Sequence, residues 1–139
     1  MDLFVHPDLE AMLVKLYNDS FTIKTYTKIP NVDARPKTFI TVHASGGQRR
    51  NKILDMPTIT VRSWAEDEPT AFKIIQECRA LVYATSKIDG YTVYKVQEYS
   101  SPVNYPDIDT GIPRYDWTAA IGVRLNRHSE KEDSGYLNK

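Results

Sequence analysis

Apolar side chains recur along this chain at two spacings, and the switches between them mark out its elements. Leu9, Met12, Leu13, Leu16 and Tyr17 fall on one face at helical spacing. Pro7 suits a first helical turn, and Asp8 and Glu10 favour its positive end, so a helix is expected from about Pro7 to Tyr17. After Asn18-Asp19-Ser20 the residues turn β-branched and aromatic from Phe21 to Ile29, until Pro30 stops them. That run predicts a strand with Phe21, Ile23 and Ile29 pointing inward. Thr38 to Ala44 alternates in the same way and ends at Ser45-Gly46-Gly47. Pro57 to Trp64 places Ile59, Val61 and Ser63 on one face, with Thr60, Arg62 and Trp64 on the other. These two strands are expected to form a hairpin. Its connection, Gly46 to Met56, is longer than a hairpin needs and reads as a functional excursion.

The second helix carries the strongest signal. Glu66-Asp67-Glu68-Pro69 is an acidic start, and Ala71, Ile75, Cys78 and Val82 follow on one stripe widened by Phe72, Ile74 and Leu81. A helix over about Pro69 to Thr85 is predicted. Ile88-Asp89-Gly90 makes a turn into a strand from Tyr91 to Tyr99, and a last strand runs from Tyr115 to Leu125 with alternate apolar residues. The order is α-β-β-β-α-β-β. An antiparallel or mixed sheet of about five strands with both helices on one face buries these stripes, so the fold class is α+β. One domain is expected over residues 1–125. The stretch Arg127-His128-Ser129-Glu130-Lys131-Glu132-Asp133 has little to bury, so residues 126–139 are expected to form a flexible polar tail.

Between the last two strands lies Asn104 to Tyr115, rich in turn-forming residues. Pro106 and Pro113 fix their own φ and push Tyr105 and Ile112 toward extended geometry, while Asp109-Thr110-Gly111 offers a side-chain-capped turn. A stiff loop showing Tyr105, Ile108, Arg114 and Tyr115 has the composition of a protein contact surface. Trp64 and several tyrosines lie on the strand face opposite the apolar stripe, and such a second face often meets another subunit.

Composition narrows the function. The chain has 139 residues, long enough to bury roughly two thirds of its unfolded surface in one core. Lys and Arg number 18 and so do Asp and Glu, a net charge of +0, so no global field draws the protein to nucleic acid or to an anionic membrane. Local basic contacts remain, and Arg49, Arg50 and Lys52 form one in a glycine-led loop suited to tracking phosphates or to lying in solvent. No Gly-Lys-Ser/Thr follows, which argues against a nucleotide site. The single Cys78 lies on the buried helix stripe, where a core role is expected, and an intracellular setting is the default. No secretory signal and no membrane-spanning run is read in the sequence. His6, His43 and His128 share no metal-ligand spacing, Glu66, Asp67 and Glu68 have a capping role, and Asp107 and Asp109 a turn role. With no nucleophile, base and orienter in view, neither catalysis nor a cofactor or metal is expected.

Four stretches taken in order carry a resemblance: His6-Pro7-Asp8 with the first helix, Gly46 to Lys52 leading into Asp55 to Val61, Trp64 to Ala71, and Pro106 to Tyr115. From about Val5 to Leu125 the chain resembles the tail terminator (tail completion) proteins of long-tailed, siphovirus-type actinobacterial phages. The resemblance implies a virion structural protein, assembled in the host cytoplasm, that sits at the head–tail junction. Its partners would be itself in a six-fold ring, the tail-tube protein beneath, and the neck or head-closure protein above. The ring would stop tube growth, with Arg49, Arg50 and Lys52 facing the lumen and its passing DNA, or a neighbouring ring. Tyr105, Pro106, Asp109, Ile112, Pro113, Arg114, Tyr115 and Trp64 would be subunit or tube contacts, so reversing the charge of Arg114 is expected to impair assembly and leave the monomer folded. A head-closure or neck connector is the alternative within the same virion, and a small nucleic-acid-binding module the alternative outside it.

Overall fold

Two aspartates start the two helices of the structure, a computed structural model that describes residues 3–128. Asp8 accepts the Ala11 N–H at 3.0 Å to begin α1 (Leu9–Ser20), and Asp67 accepts the Thr70 N–H at 2.8 Å to begin α2 (Glu68–Ala84). Each satisfies a backbone donor that the first helical turn leaves free. Strands β1 (Leu3–Val5), β2 (Thr25–Tyr26), β3 (Phe39–Arg49), β4 (Leu54–Trp64), β5 (Lys87–Ile88), β6 (Tyr91–Asn104), β7 (Arg114–Arg124) and β8 (Asn126–His128) complete the order, with a short 3-10 turn at Val32–Ala34.

Six of these strands form a mixed sheet in the order β2-β3-β4-β7-β6-β5. Only β2 and β3 run parallel; the other neighbours are antiparallel. Both helices cover one face, where Leu9, Leu13 and Tyr17 join Ala71, Ile75, Cys78 and Val82 against Ile59, Val61, Trp117 and Ile121 in one buried cluster. Two polar ties fix the helices within it. The Tyr17 hydroxyl donates to the Cys78 carbonyl at 3.2 Å, and Ser63 donates to the Ala71 carbonyl at 2.7 Å. Burial pushes the Cys78 thiol well up, away from the reactive thiolate.

The α+β class and the placement of both helices follow the sequence pattern, and the strand inventory differs. The expected strand from Phe21 to Ile29 shrinks to β2. Asn18 takes both backbone groups of Thr25, its amide donating at 3.2 Å and its carbonyl accepting at 2.8 Å, so a side chain stands where a strand partner would. Ile29, expected inward, is 47% exposed. The expected excursion between Gly46 and Met56 is absent, since β3 and β4 continue to Arg49 and from Leu54. Only residues 50–53 turn, around Asn51, whose side-chain oxygen accepts from the Ile53 and Leu54 N–H groups. Residues 126–128, expected in a flexible tail, instead form β8, which pairs with β1 from Val5↔Asn126 to Leu3↔His128. The rest of that tail lies outside the described residues. Among the described residues, no helix is long and apolar enough to cross a membrane.

Candidate functional site

Strand direction gives the sheet two ends. The tip of the β3–β4 hairpin, the end of β7 and the β1–β8 pair lie at one; the Tyr105–Pro113 loop and the segment before β3 lie at the other.

At the hairpin end the basic run is partly spent on the fold. The Arg49 guanidinium donates to the carbonyls of Asn51, Lys52 and Phe4 at 3.1, 2.7 and 2.7 Å. It therefore stitches β1 to the hairpin and is not the mobile phosphate-tracking cation its sequence suggests. Lys52 rests over the Phe4 ring at 5.5 Å, and Arg50 is exposed. An open hollow of about 580 Å³ lies between Leu3, Phe4, Val5 and the tip residues Arg49, Asn51 and Lys52. Beneath it, His6 Nε2 meets the buried Asp55 carboxylate at 2.6 Å while Nδ1 lies 2.6 Å from the Pro7 carbonyl. No sequence pattern marks this latch, since His6 lies in the linker after β1 and Asp55 near the start of β4.

At the other end, Asp107 and not Asp109 caps the turn. Its carboxylate accepts from the Thr110 N–H and hydroxyl at 3.0 and 2.5 Å, and those bonds, with Arg114 and Arg35 nearby, hold it below the usual carboxylate range. Gly111 takes a positive φ of 72°, which a glycine adopts without strain. Two further bonds, Tyr105 N–H to the Arg114 carbonyl at 2.8 Å and Ala65 N–H to the Pro113 carbonyl at 3.2 Å, clamp the loop to the sheet. Pro106, Asp109 and Ile108 stand outward, Ile108 being 87% exposed, while Ile112 and Pro113 are half-buried beside a hollow of about 440 Å³ lined also by Arg35 and Phe39.

Two residues expected at a contact surface belong instead to the interior of the subunit. Trp64 is 1% exposed, stacked on Phe39 at 5.3 Å and donating its indole N–H to Thr41 at 3.1 Å. Arg114 is 9% exposed, layered between Trp64 at 5.1 Å and Tyr105 at 4.8 Å, with Nε 2.9 Å from Asp116. Alternation places Trp64 on the face opposite the helices and the sequence pattern puts Arg114 in the displayed loop, whereas Arg114 begins β7 and Tyr105 returns over it. Tyr115 is half-buried against Phe72 of α2, their rings edge to face at 5.3 Å. Apolar groups that do stand out at this end include Tyr105, Ile108, Ile29 and Val32. Of these, Val32 escaped the sequence reading because no periodicity surrounds it.

Charge elsewhere is used within the fold. Glu98 of β6 accepts from Arg79 at 2.5 and 2.8 Å and from the Trp117 indole at 2.7 Å, and the Arg79 contact is the first cause of its lowered pKa. A carboxylate depressed in the folded state contributes stability above its unfolded pKa and loses it as pH falls through the folded one. Unfolding free energy measured by urea titration should therefore fall as the pH drops from neutrality through the acidic carboxylate range. Glu98→Gln should flatten that fall. A slope as steep in the variant as in the parent assigns the acid sensitivity to other carboxylates.

Among the described residues, no group of three or more His, Cys, Asp or Glu is placed to hold a metal. No protein-family model and no curated protein matches this chain in sequence. Geometry therefore carries the functional reading. It offers two stiff ends, and between them two open flanks of the sheet. On one flank β2 covers only Ile40 and Thr41 of β3; on the other β5 covers only Tyr91 and Thr92 of β6.

Proposed function

We propose that this protein is a virion structural subunit that caps the end of a phage tail tube as a six-fold ring, ending tube growth and joining the tube to the neck. The observation that carries the reading is the pair of open flanks. A sheet edge left unpaired over most of its length is a template for another strand. Two open edges on opposite flanks suit a subunit with a like neighbour on each side, which is the requirement for a closed ring.

Stopping a polymer needs differential binding and no bond chemistry. The ring must hold the tube end more tightly than the next tube subunit does, and must present a far face that a tube subunit cannot use. The Tyr105–Pro113 end, with its exposed tyrosine and isoleucine on a clamped loop, supports a docking role because little entropy remains to be lost there. Modest contacts from each copy act together on a matching six-fold end, so a monomer in dilute solution is compatible with the ring. The binding of Arg49 by three carbonyls leaves Arg50 and Lys52 as the tip's cations toward DNA or a neighbouring ring.

Electron microscopy of the purified protein, alone and mixed with preformed tail tubes, tests this reading. Six-fold rings and tubes that stop elongating are expected. A chain that remains monomeric at high concentration and leaves tube growth unchanged removes the proposal.

A further inference from the structure

We propose that β6 of one subunit pairs antiparallel with the free edge of β3 in the next copy, joining the sheets of adjacent subunits; this rests on the ring reading above. Strand direction carries the argument. From β3 to β4, β4 to β7 and β7 to β6 every step is antiparallel, so β6 runs opposite to β3. Copies related by rotation about an axis roughly along the strands keep those directions. The β6 of one copy therefore meets the β3 of the next as an antiparallel pair, the arrangement with the better-aligned hydrogen bonds. An odd number of steps is what makes this work; with one strand fewer or more between the flanks, the same ring would bring parallel edges together.

Both edges show the marks of a missing neighbour. On β3, His43 to Arg49 are all exposed, and the Ala44 N–H, with no strand beside it, donates instead to the Glu10 carboxylate at 2.8 Å. On β6 the longest regular run of the ladder to β7 is Lys95↔Gly122 to Glu98↔Ala119, with register shifts on both sides. Those shifts, and Pro102 further along, which has no N–H, confine new pairing to the neighbourhood of residues 95–98. Tyr99, 59% exposed, and Tyr94, 39% exposed, flank that segment and would be covered by the incoming strand. So short a pairing is weak between two free subunits and persists once the ring closes.

Cysteines placed at the exposed positions Gln97 and Gln48 test the pairing, the native Cys78 being buried. With a thiol linker of roughly 8 Å, within the reach of diagonal cross-strand neighbours, the double variant should give on a denaturing gel a ladder that ends at the closed ring, and each single variant should run there as uncross-linked chain. Hydrogen exchange on the unaltered protein supplies a second readout: amides at 43–49 and 95–98 should gain protection on assembly. Rings that form without the ladder and without that protection overturn the pairing and leave the ring reading intact. Dimers from the Gln97→Cys variant alone also overturn it, because they indicate a two-fold β6–β6 contact. A folded chain that never forms rings overturns the ring reading itself.

Discussion

Arg114→Ala is expected to lower the unfolding free energy by about 3–5 kcal/mol, the loss typical when one partner of a buried ion pair is removed. The guanidinium fills the space between Trp64 and Tyr105, and its Nε and the Asp116 Oδ1 have no hydrogen-bond partner apart from their own contact. Truncation therefore strands a largely buried carboxylate oxygen and opens a gap between two aromatic rings. It also frees Tyr105, so the loop that carries the exposed Ile108 should lose its fixed position. For a domain of this size such a loss lowers the thermal midpoint by roughly ten degrees or more. Urea titration gives the free energy, and near-ultraviolet circular dichroism reports on Trp64. Charge reversal at the same position should be worse, placing a third carboxylate beside Asp116 and Asp107. The expectation that such a variant folds normally and fails only in assembly is thus corrected by the burial of Arg114. A variant that unfolds like the parent shows that the stack carries no stability.

Why the sequence misplaces Arg114 and Trp64 while placing α2 and β7 to within a residue is a question of what periodicity contains. Alternation along a strand states which face a side chain takes. It does not state whether a distant loop returns to cover that face, and the cover here is built by Tyr105, nine residues before Arg114 in the chain. The same limit applies to Arg49. A run of cations is visible in one dimension, but the three carbonyls that bind one of them come from a turn and from β1. Strands of two or three residues, such as β1, β2, β5 and β8, are too short to show a period at all. The long elements were legible because each buries a continuous stripe against the same core. The open flanks were not, since an edge is defined by the absence of a neighbour.

Gly47→Ala is expected to cost roughly 2–4 kcal/mol, combining the strain of a positive φ with the overpacking of a closed gap. Gly46→Ala, at the preceding residue, should cost only about 1–2 kcal/mol, the left-handed penalty alone. Both glycines have positive φ, 95° at Gly46 and 116° at Gly47; Gly46 lies in the stretch after Ala44 where β3 inserts an extra residue against β4, and Gly47 is where the pairing resumes. They differ in what lies beside them. A Cβ on Gly46 meets nothing within 4 Å, whereas one on Gly47 stands 2.7 Å from both Pro57 Cα and Thr58 N and closer still to the Met56 carbonyl oxygen. All three are backbone atoms of β4, so no side chain can rotate away, and the strands must part. Separation there loosens the hairpin tip, and with it Arg49 and the strand β1 that it holds. Equilibrium unfolding of the two variants side by side isolates the close approach from the dihedral strain. Ring formation extends the comparison to function, because the outer edge of β3 at Gly47 lies within the segment assigned to the next subunit. Gly47→Ala should abolish rings and Gly46→Ala should retain them; equal loss in the two would mean that backbone strain, and not the fit of the bulge against β4, controls this edge.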